Sequence, residues 1–152
     1  MGDTREPGAA LLDRLVTAVS GHDLDALVGC FAPDYRNDTP AHPAQGFTGR
    51  DQVWRNWEQI FAVMPDITAT VLRSVGDGDV VWSEWDMAGT RPDGTAMQMA
   101  GVVIFGVRGG QFSWARWYLE PVQAGGPDVN EALRQRVGAG AGPAPGAGPG
   151  AR

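Results

Sequence analysis

The hydrophobic pattern of this chain changes period at Pro65, and that change limits its fold more than any other feature. Before Pro65, apolar residues recur every three or four positions. After it they alternate. These are the spacings of an amphipathic helix and of a half-buried strand. Leu11, Leu12, Leu15, Val16 and Val19 form the first helical stripe, which ends near Gly21. Asp23 is a capping residue for a second, short helix that buries Leu24, Leu27, Val28 and Phe31 before Pro33. Residues 34–43 are too rich in Pro and Asn for a helix interior and read as irregular. Thr48 and Asp51 are spaced as a capping box, with Asp in the usual Glu position. They open a third helix striped by Val53, Trp54, Trp57, Ile60, Phe61 and Met64, and Pro65 closes it. Four strands follow, over 67–75, 80–90, 95–107 and 111–122, joined by Gly- and Asp-containing turn sequences. Three helices followed by hairpin-linked strands predict an α+β fold with one curved antiparallel sheet.

The 152 residues fit one domain. From Gly138 onward the chain contains only Gly, Ala, Pro and Arg, with little apolar area to offset backbone entropy. The expected division is a flexible N-terminus over 1–8, a folded domain over 9–122 and a mostly disordered tail over 123–152. Within that tail, 127–137 offers a short helix through Val129, Ala132 and Leu133.

Composition removes whole classes of chemistry. All twelve basic residues are Arg, so no lysine can form a Schiff base, hold a phosphate or act as a general base. The single Cys30 excludes an intrachain disulfide and a thiolate metal cluster, and two histidines, His22 and His42, exclude a multi-histidine metal site. A net charge of −6 without a basic stripe argues against nucleic acid and anionic membranes as partners. No apolar run approaches the ~20 residues that span a bilayer, and the first residues lack the order of a signal peptide. A soluble cytoplasmic protein is expected. Chemistry is left to carboxylates, Tyr, Arg and His42, beside six Trp in three pairs: Trp54/Trp57, Trp82/Trp85 and Trp114/Trp117.

The order helix, helix, loop, helix, four long strands resembles the nuclear transport factor two-like superfold, and within it the SnoaL-like polyketide-cyclase branch. The resemblance rests on Asp23-Leu-Asp-Ala-Leu27, Phe47-Thr-Gly-Arg-Asp51, Pro65-Asp66, Gly89-Thr90, Gly110-Gln-Phe112 and Arg116-Trp-Tyr-Leu-Glu120. It covers about residues 9–122. It implies a cone of helices against a curved sheet around an apolar pocket, a scaffold that hosts isomerases, cyclases, epoxide hydrolases and non-catalytic binders.

Which residues face that pocket depends on strand phase, because only alternate side chains share a side. In the second strand, hydrophobicity favours Val81, Trp85 and Met87 as the buried set and leaves Glu84 and Asp86 solvated. The resemblance tilts the other way. Aligning Asp93-Gly94 with the hairpin of limonene-epoxide-hydrolase-like members sets Glu84 and Asp86 at positions that carry charged catalytic residues there, with Trp82 inward and Trp85 outward. Tyr35-Arg-Asn37 matches a Tyr-x-Asn that orients the hydrolytic water in the same branch. Where that branch has its water-activating Asp, this chain has Trp117. Val103 occupies the place of the protonated acid of ketosteroid isomerase, so steroid-isomerase chemistry is not supported. In the last strand the resemblance places Ser113, Ala115, Trp117 and Leu119 inward and Phe112, Trp114, Arg116 and Tyr118 on an outer face that pairs with a second copy; a shift of one residue would turn Arg116 inward.

The expectation is therefore a pocket for an apolar, polyketide- or terpenoid-like small molecule, lined by Trp57, Phe61, Trp82, Met99, Val103, Phe105 and Trp117. Glu84 and Asp86, helped by Tyr35, Asn37 and His42, would perform acid–base chemistry with no metal and no cofactor. The alternative is a non-catalytic binder or a shape-template using the same pocket, and the inward or outward direction of Glu84 and Asp86 discriminates the two.

Overall fold

In the computed structural model, which describes residues 6–138, the helical stripes and the alternating stripes meet face to face. Helix α1 (Pro7–Ser20) starts with Pro in its first turn and buries Leu11, Leu12, Leu15, Ala18 and Val19. Pro7 and Gly8, expected in a flexible N-terminus, are thus helical. Helix α2 (Leu24–Gly29) is capped as expected, the Asp23 carboxylate accepting the Ala26 N–H at 3.0 Å.

The chain then departs from the expected course. Phe31 lies outside α2, in strand β1 (Phe31–Asp38), within a stretch whose composition reads as irregular. Pro33 disfavours helical geometry at Ala32. Its missing N–H costs nothing in the ladder, because pairing of β1 lapses between Phe31 and Arg36. A two-residue strand β2 (Phe47–Thr48) pairs antiparallel with β1, so Thr48 does not cap the next helix. Gly49 does the turning instead, at φ +103°, with its N–H on the Tyr35 carbonyl at 2.7 Å. Helix α3 (Arg50–Val63) follows.

Strands β3 (Thr68–Asp77), β4 (Val80–Thr90), β5 (Ala96–Arg108) and β6 (Gln111–Pro121) come next, and the sheet order is β2-β1-β6-β5-β4-β3. The sheet has six strands rather than four and is mixed, because β1 runs parallel to β6. Register irregularities in the β1/β6, β3/β4 and β5/β6 pairings bend it. Helix α1 lies against β3 and α2. The chain divides into two compact units, Met1–Val122 and Gln123–Arg152. Within the second, helix α4 (Val129–Gly138) occupies the stretch that offered a short helix. Residues 1–5 and 139–152, including nearly all of the Gly/Ala/Pro run, lie outside the described residues.

Strand β4 settles the question of phase. Val81, Ser83, Trp85 and Met87 are buried, whereas Trp82 is 50% exposed. The orientation implied by the resemblance, with Trp82 inward and Trp85 outward, is reversed, and the hydrophobic pattern holds. The reason lies in the indole nitrogen, which needs an acceptor when buried. Trp85 Nε1 donates to Ser83 Oγ at 2.7 Å, and Ser83 Oγ donates to the Val103 carbonyl at 2.7 Å. Serine two residues away on the same face supplies what Trp85 requires.

Strand β6 carries a second correction. Phe112 pairs with Val107 and Trp114 with Gly106, leaving Ser113 as an extra residue. The bulge turns Phe112 inward, fully buried and stacked on Phe105 with ring centroids 4.1 Å apart. Beyond it Ala115 is buried, while Arg116 and Tyr118 are exposed on the outer face. Trp114 lies across Gly106, where any Cβ would collide with the indole.

Ser83→Ala should remove the partner of the Trp85 N–H and destabilise the protein by about 1–3 kcal/mol, measured as a lowered denaturation midpoint at unchanged m-value. An unchanged midpoint would show that this bond does not anchor β4.

Candidate functional site: an uncharged cavity

Helix α3 packs on α2 and β1 and, with the sheet and the segment between β1 and β2, borders an open cavity of about 560 Å³. Val53, Asn56, Trp57, Ile60 and Met64 line it from the helix side. Met87, Met97 and Met99 form its floor from β4 and β5, and Tyr35, Asn37, Trp117 and Leu119 its wall from β1 and β6. Methionine suits an irregular apolar occupant because its unbranched chain adapts. Among the described residues, no Asp, Glu, His, Lys, Arg or Cys lines this space.

Its deepest polar feature is a hydrogen-bonded relay. Trp117 Nε1 donates to the Tyr35 hydroxyl at 3.1 Å, and Tyr35 donates to Asn37 Oδ1 at 2.8 Å. Burial pushes the Tyr35 hydroxyl well above its ordinary ionisation range; the Trp117 N–H opposes this and the charge of Asp38 adds to it. Tyr35 therefore keeps its proton and cannot serve as a base near neutrality.

The residues singled out from sequence fall into four groups. Tyr35, Asn37, Trp57, Met99 and Trp117 come together around the cavity. Val103 and Phe105 are fully buried behind it, and Phe61 packs on Trp57 and His22 without lining it. Glu84, Asp86 and Trp82 lie on the opposite side of the sheet. There Glu84 Oε2 meets Arg73 Nε at 2.8 Å, and Asp86 Oδ1 accepts from Gln98 Nε2 at 3.1 Å. The expected placement of these two carboxylates in the pocket is thereby corrected. His42 is half-exposed and pairs with Glu120, Nε2 to Oε1 at 2.9 Å, outside the cavity lining. Arg116 is exposed, so it forms no inward pair with Glu84 or Asp86.

Sequence reasoning missed Asn56, Gln45, Thr39 and Phe47. Asn56 had one available signal: a polar residue directly beside Trp57 on the apolar stripe of a helix. The other three depend on β1 and β2, which carry no periodic signature.

The sequence pattern of the SnoaL-like domain matches residues 12–115, and the chain belongs to that family. Its fold is shared by solved structures with a ketosteroid isomerase-like or nuclear transport factor two-like fold. A loop-truncated variant of IdmH is 25% identical, with a TM-score of 0.62 over 76% of this chain and 92% of that one. RV0760c from Mycobacterium tuberculosis, in complex with estradiol-17beta-hemisuccinate, is 17% identical, with a TM-score of 0.66 over 75% and 94%. An LEH-like epoxide hydrolase from M. tuberculosis is 15% identical, with a TM-score of 0.66 over 75% and 83%. No curated protein sequence matches the chain. Among the described residues there is no group of three or more His, Cys, Asp or Glu able to hold a metal, and no helix long and apolar enough to cross a membrane.

The raised Tyr35 ionisation has a sign that can be checked. Above about pH 10 the unfolded chain releases the phenolic proton while the folded protein retains it, so stability should fall as pH rises beyond that point. In an alkaline absorbance titration, at most one of the two tyrosines should ionise before the protein unfolds. Reversible ionisation of both in the folded state would contradict the buried relay.

Proposed function

We propose that this protein binds an apolar small molecule in the cavity under α3, and that it holds or shapes that molecule without a charged group of its own. The observation that carries this reading is the lining: apolar and aromatic side chains with a few neutral polar groups, and no ionisable residue but the proton-retaining Tyr35. Apolar walls with few oriented polar groups are the usual make-up of a small-molecule site. Belonging to the SnoaL-like family supports the reading, since its fold neighbours include a protein seen with estradiol-17beta-hemisuccinate and an epoxide hydrolase. A polyketide- or terpenoid-like skeleton suits the cavity, and a reactive chain folded inside it would be steered toward cyclising by shape. Glu84 and Asp86 take no part, because the sheet itself separates them from the ligand.

We also propose that two copies pair through the outer sheet face. Trp82 and Val75 stand opposite each other across β4 and β3 and are 50% and 66% exposed, and Tyr118 is 39% exposed on the same side. An apolar group of this size on one face favours association.

Nile red, a neutral apolar fluorophore, reports the cavity. Trp57→Ala removes aromatic contact area and should weaken its binding about tenfold. Glu84→Gln and Asp86→Asn, distant from the cavity, should change it by no more than about twofold. A tenfold loss in either carboxylate variant would return that carboxylate to the site. For assembly, light scattering on a sizing column should give a dimer mass for the natural sequence and a monomer mass for Trp82→Glu. A monomer mass for both would remove the pairing.

A further inference from the structure

We infer that the cavity selects a neutral molecule carrying a hydrogen-bond-accepting oxygen, such as a ketone, and reads it with the side-chain amides of Asn37 and Asn56. The inference rests on the proposed ligand-binding role of the cavity and names the class of ligand.

Two hydrogen-bonded chains end at this space, and each begins with a group that can only donate. An indole N–H has no acceptor capacity. Trp117 Nε1 therefore uses a lone pair of the Tyr35 hydroxyl, and the single Tyr35 proton goes to Asn37 at 2.8 Å. The Asn37 atom that receives it must be the carbonyl oxygen. The NH₂ group is left with both protons to give, on a residue only 8% exposed that lines the cavity, and it has no partner among the described residues.

The second chain repeats this logic on α3. A guanidinium only donates. Arg55 Nη2 meets Gln52 Oε1 at 2.9 Å, which fixes the Gln52 amide so that its Nε2 donates to Asn56 Oδ1 at 2.8 Å. Asn56 lines the cavity, and its NH₂ has no partner among the described residues either. The guanidinium of Arg55 holds the Gln52–Asn56 chain in one sense, and Tyr35 donates to Asn37 Oδ1, so both amides keep their N–H groups to give. Of the other polar liners, Thr39 commits its proton to the His42 carbonyl at 2.8 Å, and Gln45 lies exposed on the segment between β1 and β2.

Charge completes the selection. A carboxylate or an ammonium entering this space would lose its hydration and meet no opposite charge in the lining. A neutral carbonyl loses far less and gains the two unpartnered amide N–H groups.

Fluorenone, fluorene and fluorene-9-carboxylate share one rigid tricycle and differ only in the group the amides would read. Their affinities, taken from quenching of Trp fluorescence, should place fluorenone about tenfold tighter than fluorene, with the carboxylate weakest. Asn56→Asp and Asn37→Asp keep the shape but replace the donor by an acceptor. Each should lower fluorenone affinity by about tenfold more than it lowers fluorene affinity, removing the advantage of the ketone. Asn56 is on the half-buried side of a helix, so its variant tests the idea even if Asn37→Asp does not fold. Equal affinity for fluorenone and fluorene would overturn donor recognition while leaving the cavity a binding site. Tightest binding of the carboxylate would overturn the preference for a neutral ligand. Failure of all three probes to bind would overturn this inference together with the ligand-binding role.

Discussion

The bond between Trp85 Nε1 and Ser83 Oγ is a small interaction with a large reach. A side-chain period of two means that one face choice in β4 governs the whole strand. With Trp85 satisfied and buried, Val81 and Met87 follow it inward, and Trp82, Glu84 and Asp86 are sent to the other side. Trp85 then meets Phe105, which stacks on Phe112, which packs on Phe31, which packs on Tyr35. This aromatic row crosses β4, β5, β6 and β1 and holds the concave surface against which the cavity forms. The β6 bulge serves the same row, since without the extra Ser113 the ring of Phe112 would point away from it.

The electrostatic character of the cavity follows from the same choice. Carboxylates on the inner face would have given it titratable groups; on the outer face they form exposed pairs with Arg73 and Gln98, of the kind that contribute little to stability. The inner face is left with amides, a phenol and thioethers. In such surroundings a neutral hydrogen bond is strengthened and an unpaired charge is heavily penalised. On the proposed ligand-binding reading, selectivity rests on shape and on the direction of a few dipoles. The relays through Tyr35 and Gln52 orient those dipoles, which on that reading lowers the ordering cost of binding.

The three Trp pairs show how one spacing takes different meanings. On strands, a separation of three puts the two rings on opposite sides, and Trp85 and Trp117 face in while Trp82 and Trp114 face out. Trp117 lines the cavity and begins a relay, whereas Trp114 covers Gly106. On α3 the same separation keeps Trp57 at the cavity and leaves Trp54 37% exposed at the edge of the stripe.

Much of the fold was legible along the chain. The change of period at Pro65, the Asp23 cap, the four long strands and the inward row Met97, Met99, Val103 and Phe105 are local patterns, and local patterns depend on neighbours in sequence. The cavity lining was legible in part: Tyr35, Asn37, Trp57, Met99 and Trp117 line it, whereas Glu84 and Asp86 were drawn to it by analogy against their own hydrophobic pattern. Other features could not be read locally. Strand β1 is stabilised by a parallel partner some 80 residues away, so nothing beside it in the chain announces it. A bulge such as that at Ser113 inserts one residue and inverts every facing assignment on one side of it, without a compositional mark. The amide of Asn56 acquires its direction only when Arg55 and Gln52 share a helix surface with it. The sequence by itself determined the helices, the four long strands and the chemistries the chain lacks, because periodicity and composition are properties of the chain alone. Only the tertiary structure decided what faces the cavity and which way its amides point, because both are fixed by partners that the fold brings together from distant positions.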